Sequence, residues 1–73
     1  MPIGTNIKTI ADKKGVSILD IIKGTGISQS YFYELLRNEK ENPSLLITKK
    51  IADFLGITVD QLINMEVKNE NID

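Results

Sequence analysis

Residues 17–37 read SILDIIKGTGISQSYFYELLR, two short apolar-periodic segments joined across Gly24-Thr25-Gly26. Each segment starts with one device: an apolar residue, a serine, and a second apolar residue four positions after the serine. The sets are Val16-Ser17 with Ile21 and Ile27-Ser28 with Phe32. The hydroxyl accepts from an otherwise unpaired N–H of the first helical turn, and the apolar pair staples the chain across it. The pattern predicts one helix over about Ser17 to Lys23 and the next over about Ser28 to Arg37. A tight glycine turn between two such helices sets them at a steep angle and projects the second outward. In that second helix Phe32, Leu35 and Leu36 form the side to be buried. Gln29, Ser30, Tyr33, Glu34 and Arg37 lie opposite.

Working outward, apolar spacing stays helical with no sustained strand-like alternation. Ile3, Ile7, Ile10 and Ala11 share one face of a helix over about Ile3 to Lys14, closed by Gly15. Asn38 is a left-handed stop, and a polar loop, Asn38 to Pro43, leads to Ser44, the cap of a fourth helix reaching Leu55. That helix buries Thr48, Ile51, Ala52 and Leu55, and Gly56 ends it. Ile57-Thr58 with Leu62 repeats the hydroxyl device, and Thr58 with Gln61 makes a capping box for a fifth helix over about Val59 to Met65. The expected architecture is all-α with five helices in one domain, residues 1–65, followed by a polar tail, residues 66–73.

Composition narrows the chemistry. The 73 residues contain no cysteine and no histidine, so a disulfide framework and a thiolate or imidazole metal site are both excluded. Acidic residues sit at spacings unsuited to paired acid and base work, and no nucleophile-and-base set can be assembled. No enzyme, cofactor or small-molecule substrate is expected. No apolar run approaches the ~18–20 residues of a membrane span, and the N-terminus lacks a secretory pattern, so a cytoplasmic location is expected. Net charge is −1, with eight Lys/Arg against five Asp/Glu over residues 1–50 and one against five over residues 51–73. A net of +3 over the first fifty residues permits a nucleic-acid partner without arguing for one.

Several segments taken together resemble the phage repressor and Cro-like helix-turn-helix proteins, the Xre family with its lambda-repressor-like DNA-binding domain. They are Ile3-Gly4 with Ile7-Lys8, Lys14-Gly15-Val16-Ser17, Gly26-Ile27-Ser28-Gln29-Ser30-Tyr31-Phe32, Asn42-Pro43-Ser44-Leu45, and Lys50-Ile51-Ala52 with Leu55 to Leu62. The resemblance spans residues 3–65, and the loop and fourth helix are similar to those of Bacillus SinR-type regulators. It implies a sequence-specific regulator of transcription, a repressor, acting as a homodimer on a palindromic operator in double-stranded DNA. Base contacts then fall on Gln29, Ser30 and Glu34 with Tyr33 beside them. Phosphate contacts fall on Ser17 and on the loop from Arg37 through Asn38 to Lys40.

The side-chain types suit those roles: Gln pairs bidentately with adenine, Ser serves base or phosphate, and Glu accepts from cytosine N4. Ile63, Met65 and Val67 are the expected dimer surface, against a plainer reading as core and tail. Three residues depart from the family. Ile18 stands where a glutamine bridges to phosphate, Ile22 stands where a small residue lets the two helices touch, and Glu34 with Glu41 brings negative charge toward the phosphates. Ile18, Glu34 and Glu41 motivate an alternative: the same fold serving as a protein-interaction module, antitoxin-like or anti-repressor, with weak DNA affinity.

Overall fold

The fold is given by a computed structural model of the chain, which describes residues 3–40 and 43–64. Among these residues there are five helices: α1 Ile3–Lys14, α2 Ile18–Thr25, α3 Gln29–Leu36, α4 Leu45–Leu55 and α5 Val59–Ile63. The hydroxyl caps lie where the sequence placed them. Ser17, Ser28, Ser44 and Thr58 each hold an extended backbone and accept from the amide three residues on. At Ser17 and Thr58 the bond is reciprocal, with Asp20 and Gln61 reaching back to the cap's own N–H. Ser17 therefore gains a full capping box, a device that the sequence reading gave only to Thr58.

The turn differs from expectation. Helix α2 continues through Gly24 and Thr25, and the chain turns at Gly26, whose φ of 76° is left-handed and whose N–H bonds to the Ile22 carbonyl. Thr25 then ties the turn: its hydroxyl donates to the Ile21 carbonyl at 2.7 Å and accepts from the Ile27 amide at 3.3 Å. Gly24 has another purpose. A Cβ there would run into the ring of Phe54 on α4, so its lack of a side chain lets α2 and α4 approach closely. Two further ends shift: α3 stops at Leu36 with Arg37 as its cap, and α5 stops at Ile63. Met65, Val67 and the predicted tail lie outside the described residues, and Ile63 is half-buried.

Helix α1 packs on α3, α5 and α4, while α2 packs on α4. At the centre Ile7, Ile21, Phe32, Leu35, Ile51 and Leu62 have no accessible surface, one or more from each helix. The expected inward faces of α1 and α4 are all buried, Thr48 included, whose hydroxyl bonds to the Ser44 carbonyl at 3.0 Å. Ile22, which stands where the family has a small residue, is half-buried against the core, and α3 packs chiefly on α1. Asn6, the other buried polar residue, donates to the carbonyls of Leu62 at 2.8 Å and Ile63 at 3.3 Å. It thereby satisfies carbonyls that the end of α5 leaves without helical partners. Among the described residues no buried side-chain polar atom lacks a partner, and no helix is long and apolar enough to cross a membrane.

Candidate nucleic-acid interface

Burying Phe32, Leu35 and Leu36 fixes which way α3 faces. Its other flank is led by Gln29 and Ser30, both exposed in the first turn. Tyr31 and Tyr33 divide their surfaces, being half-buried with rings packed against the core. Glu34, one turn beyond Ser30, is also half-buried, and its carboxylate receives Lys40 Nζ at 3.3 Å. The same Lys40 ammonium stands 5.2 Å from the Tyr31 ring centroid, within cation–π range. The loop after α3 thus folds back along the helix, placing Lys40 beside the flank that Glu34 belongs to.

Arg37 and Glu39 form a two-pronged pair, with Nε and Nη2 each 3.0 Å from a carboxylate oxygen. The hydrogen bonds from Arg37 hold the Glu39 carboxyl below its ordinary pKa, and the same bonds raise that of the guanidinium. Both side chains are more than half exposed, as are those of the Lys49–Asp53 pair on α4. Water competes for exposed pairs of this kind, and an arriving anion can exchange with the carboxylate.

Asn38 takes the left-handed conformation with φ of 60°, and its N–H bonds to the Leu35 carbonyl. Its side chain turns toward α1: Oδ1 accepts from the Gly4 amide at 2.9 Å and Nδ2 donates to Thr5 Oγ1 at 3.4 Å. Ser17, at the start of α2, is exposed, and its hydroxyl oxygen is occupied by the Asp20 amide while its proton remains available to donate. Gln29, Ser30, Tyr33, Glu34, Arg37 and Lys40 therefore share α3 and its following loop, with Ser17 on the preceding helix and Asn38 joined to α1.

Sequence reasoning missed the partners of these side chains. Glu39 was counted only as charge, although its place two residues from Arg37 in a short loop was a readable signal. Gly4 and Thr5 carried no sign of their bond to Asn38, and Lys40 with Glu34 follows no helical spacing. Among the described residues no group of three or more acidic residues is placed to hold a metal ion.

Comparison with known proteins agrees with the fold. The SinR transcriptional regulator of Bacillus licheniformis is 31% identical over 68 residues, which is 93% of this chain and 61% of that protein. The chain thus spans about three-fifths of the length of this curated relative. A crystal structure of SinR, described as the master regulator for biofilm formation, in complex with DNA superposes with a TM-score of 0.78. It is 31% identical and covers 85% of this chain and 98% of the other. A complex of SinR with the SinI protein gives a TM-score of 0.81 at the same identity, covering 97% of this chain and 67% of the other. The family description that matches spans residues 6–68, and by it this chain belongs to the Cro/C1-type helix-turn-helix DNA-binding domains.

Proposed function

We propose that this chain binds double-stranded DNA sequence-specifically and represses transcription, as a homodimer on a palindromic operator in the cytoplasm, without catalysis. The observation that carries the reading is the exposure of Gln29 and Ser30 at the leading turn of a helix whose opposite side is buried. Helix α3 enters the major groove, where Gln29, Ser30 and Glu34 meet base edges and Tyr33 flanks them. Ser17 donates its hydroxyl proton to a phosphate, alongside the first amides of α2. Arg37 and Lys40 exchange their carboxylate partners for phosphates, and Asn38 lies in the same loop. Two copies placed one helical turn apart, about 34–36 Å, double the readout. The half-buried Ile63 and the segment beyond it, with Met65 and Val67, provide the contact between copies.

A second reading has its own support. Leu19, Leu45 and Leu46 are more than half exposed, Ile18 cannot bridge to phosphate, and the SinR relative is known in complex with a protein, SinI. Titration with random-sequence duplex at several salt concentrations separates the two. DNA binding gives an affinity falling with salt at a log–log slope of about −0.9 for each phosphate neutralised. Absence of binding at low salt favours the protein partner.

Substitution then divides the contacts. Gln29→Ala is expected to cost roughly 1–3 kcal/mol on a selected operator and to relax preference at one base pair, with little change on random duplex. Lys40→Ala is expected to weaken all sequences alike and to flatten the salt slope by about one. Equal losses from Gln29→Ala on operator and random duplex would remove it from the base-reading set.

A further inference from the structure

We infer that Asn38 is a positioning residue, the joint that fixes the course of the phosphate-facing loop by capping two helices at once; this rests on the DNA-binding reading above. Its backbone provides the first cap: a left-handed residue just beyond α3, with its amide on the Leu35 carbonyl, ends the helix and turns the chain. Its side chain provides the second. Gly4 is the second residue of α1, so its N–H is among the amides for which the helix has no partner, and Asn38 Oδ1 accepts from it across 34 residues of sequence.

The surroundings make this junction stiff. The carbonyls of Leu35 and Leu36 stand where a Gly4 side chain would lie, so the C-terminal end of α3 abuts the N-terminal end of α1. Opposite ends of two helix dipoles are thereby brought together. Arg37 and Lys40 flank the joint on either side, Arg37 held by the exposed Glu39 and Lys40 by the half-buried Glu34 and the Tyr31 ring. The bond to Gly4 is the restraint that ties the loop bearing the two cations to a second helix before DNA arrives. Restraint of that kind reduces the ordering cost of binding.

The test compares the full chain with its Asn38→Gly variant on a fluorescent random-sequence duplex over a range of salt. Glycine keeps the left-handed turn and removes both side-chain bonds, so α3 still ends correctly. The expected result is binding about tenfold weaker at low salt, with a log–log slope shallower by about one as a cation leaves its phosphate. A neutral amide that touched phosphate itself would cost affinity with the slope unchanged, and that result overturns the positioning role. Equal affinity and slope in the two proteins also overturns it.

Hydrogen exchange of the Gly4 amide supplies a reading that does not depend on the variant. Protection retained when the parent chain binds DNA supports the joint, and protection lost on binding overturns it. Asn38→Asp keeps the acceptor and is expected to keep the amide protected. Failure of the parent chain to bind duplex at low salt overturns the DNA reading and the positioning role together. A parent that binds beside an unaltered glycine variant overturns the positioning role alone.

Discussion

Replacing Gly4 by alanine is expected to destabilise the domain by about 2–3 kcal/mol, against the usual sign for such a change in a helix. In an exposed helix interior alanine is favoured over glycine by ~1 kcal/mol. Here the added methyl would meet the main-chain carbonyls of Leu35 and Leu36 as well as Asn38 Oδ1, and main chain cannot swing aside as a side-chain tip can. Helices α1 and α3 must separate, and the packing of Ile3 and Ile7 against the inner side of α3 loosens with them. Urea denaturation followed by circular dichroism checks this, the midpoint falling with the slope unchanged. A variant as stable as the parent, or more so, would show that α1 and α3 do not meet this closely.

Phe32→Ala carries the larger penalty, about 3–5 kcal/mol, because a fully buried ring is lost and its neighbours cannot close the space. A domain of this size has a total stability on the order of 5 kcal/mol, so the variant is expected to be largely unfolded at 37 °C. Thermal unfolding followed by helical circular dichroism should show the cooperative transition moved far down or lost. A melting temperature within a few degrees of the parent would mean that Phe32 is not the central element of the core. The neighbouring Tyr31→Ala, at a half-buried position, is the natural contrast and should remain folded.

The features legible in the sequence share one property, which is that their physics closes within about four residues. A hydroxyl cap, its staple and its capping box are written side by side, so Ser17, Ser28, Ser44 and Thr58 could be placed without any tertiary knowledge. Helical faces follow the same rule, and the buried apolar side chains of α1, α3 and α4 were found from spacing alone, whereas the buried Asn6 was not. Gly24 was misread because its constraint is Phe54, distant in the chain; a glycine beside Thr25-Gly26 looks like part of a turn when only neighbours are consulted. Asn38 was half legible. A left-handed stop is a local matter, whereas the acceptor it offers to Gly4 depends on how α1 and α3 meet.

The same distinction holds for the site. The outward flank of α3 follows from its buried side, and so Gln29 and Ser30 were found exposed. The state of its charges could not be read in that way. Whether Arg37 and Lys40 stand free or are held by Glu39 and Glu34 depends on the path of a loop with no repeating pattern. A net charge counts such groups without saying which of them are already engaged.

The four hydroxyl caps also bear on how quickly the molecule assembles. Four of the five helix starts are chosen by neighbours in the chain, so each segment can test its own boundaries before it has met any other. Mostly helical chains dominated by nearby contacts reach the native state in microseconds to milliseconds. What remains is a search for a few distant closures, chiefly the Asn6 side chain finding the Leu62 carbonyl across 56 residues and the Gly4 amide finding Asn38. Those closures bring the ends of α3 and α5 against the same helix, α1, and they are the natural last steps of folding.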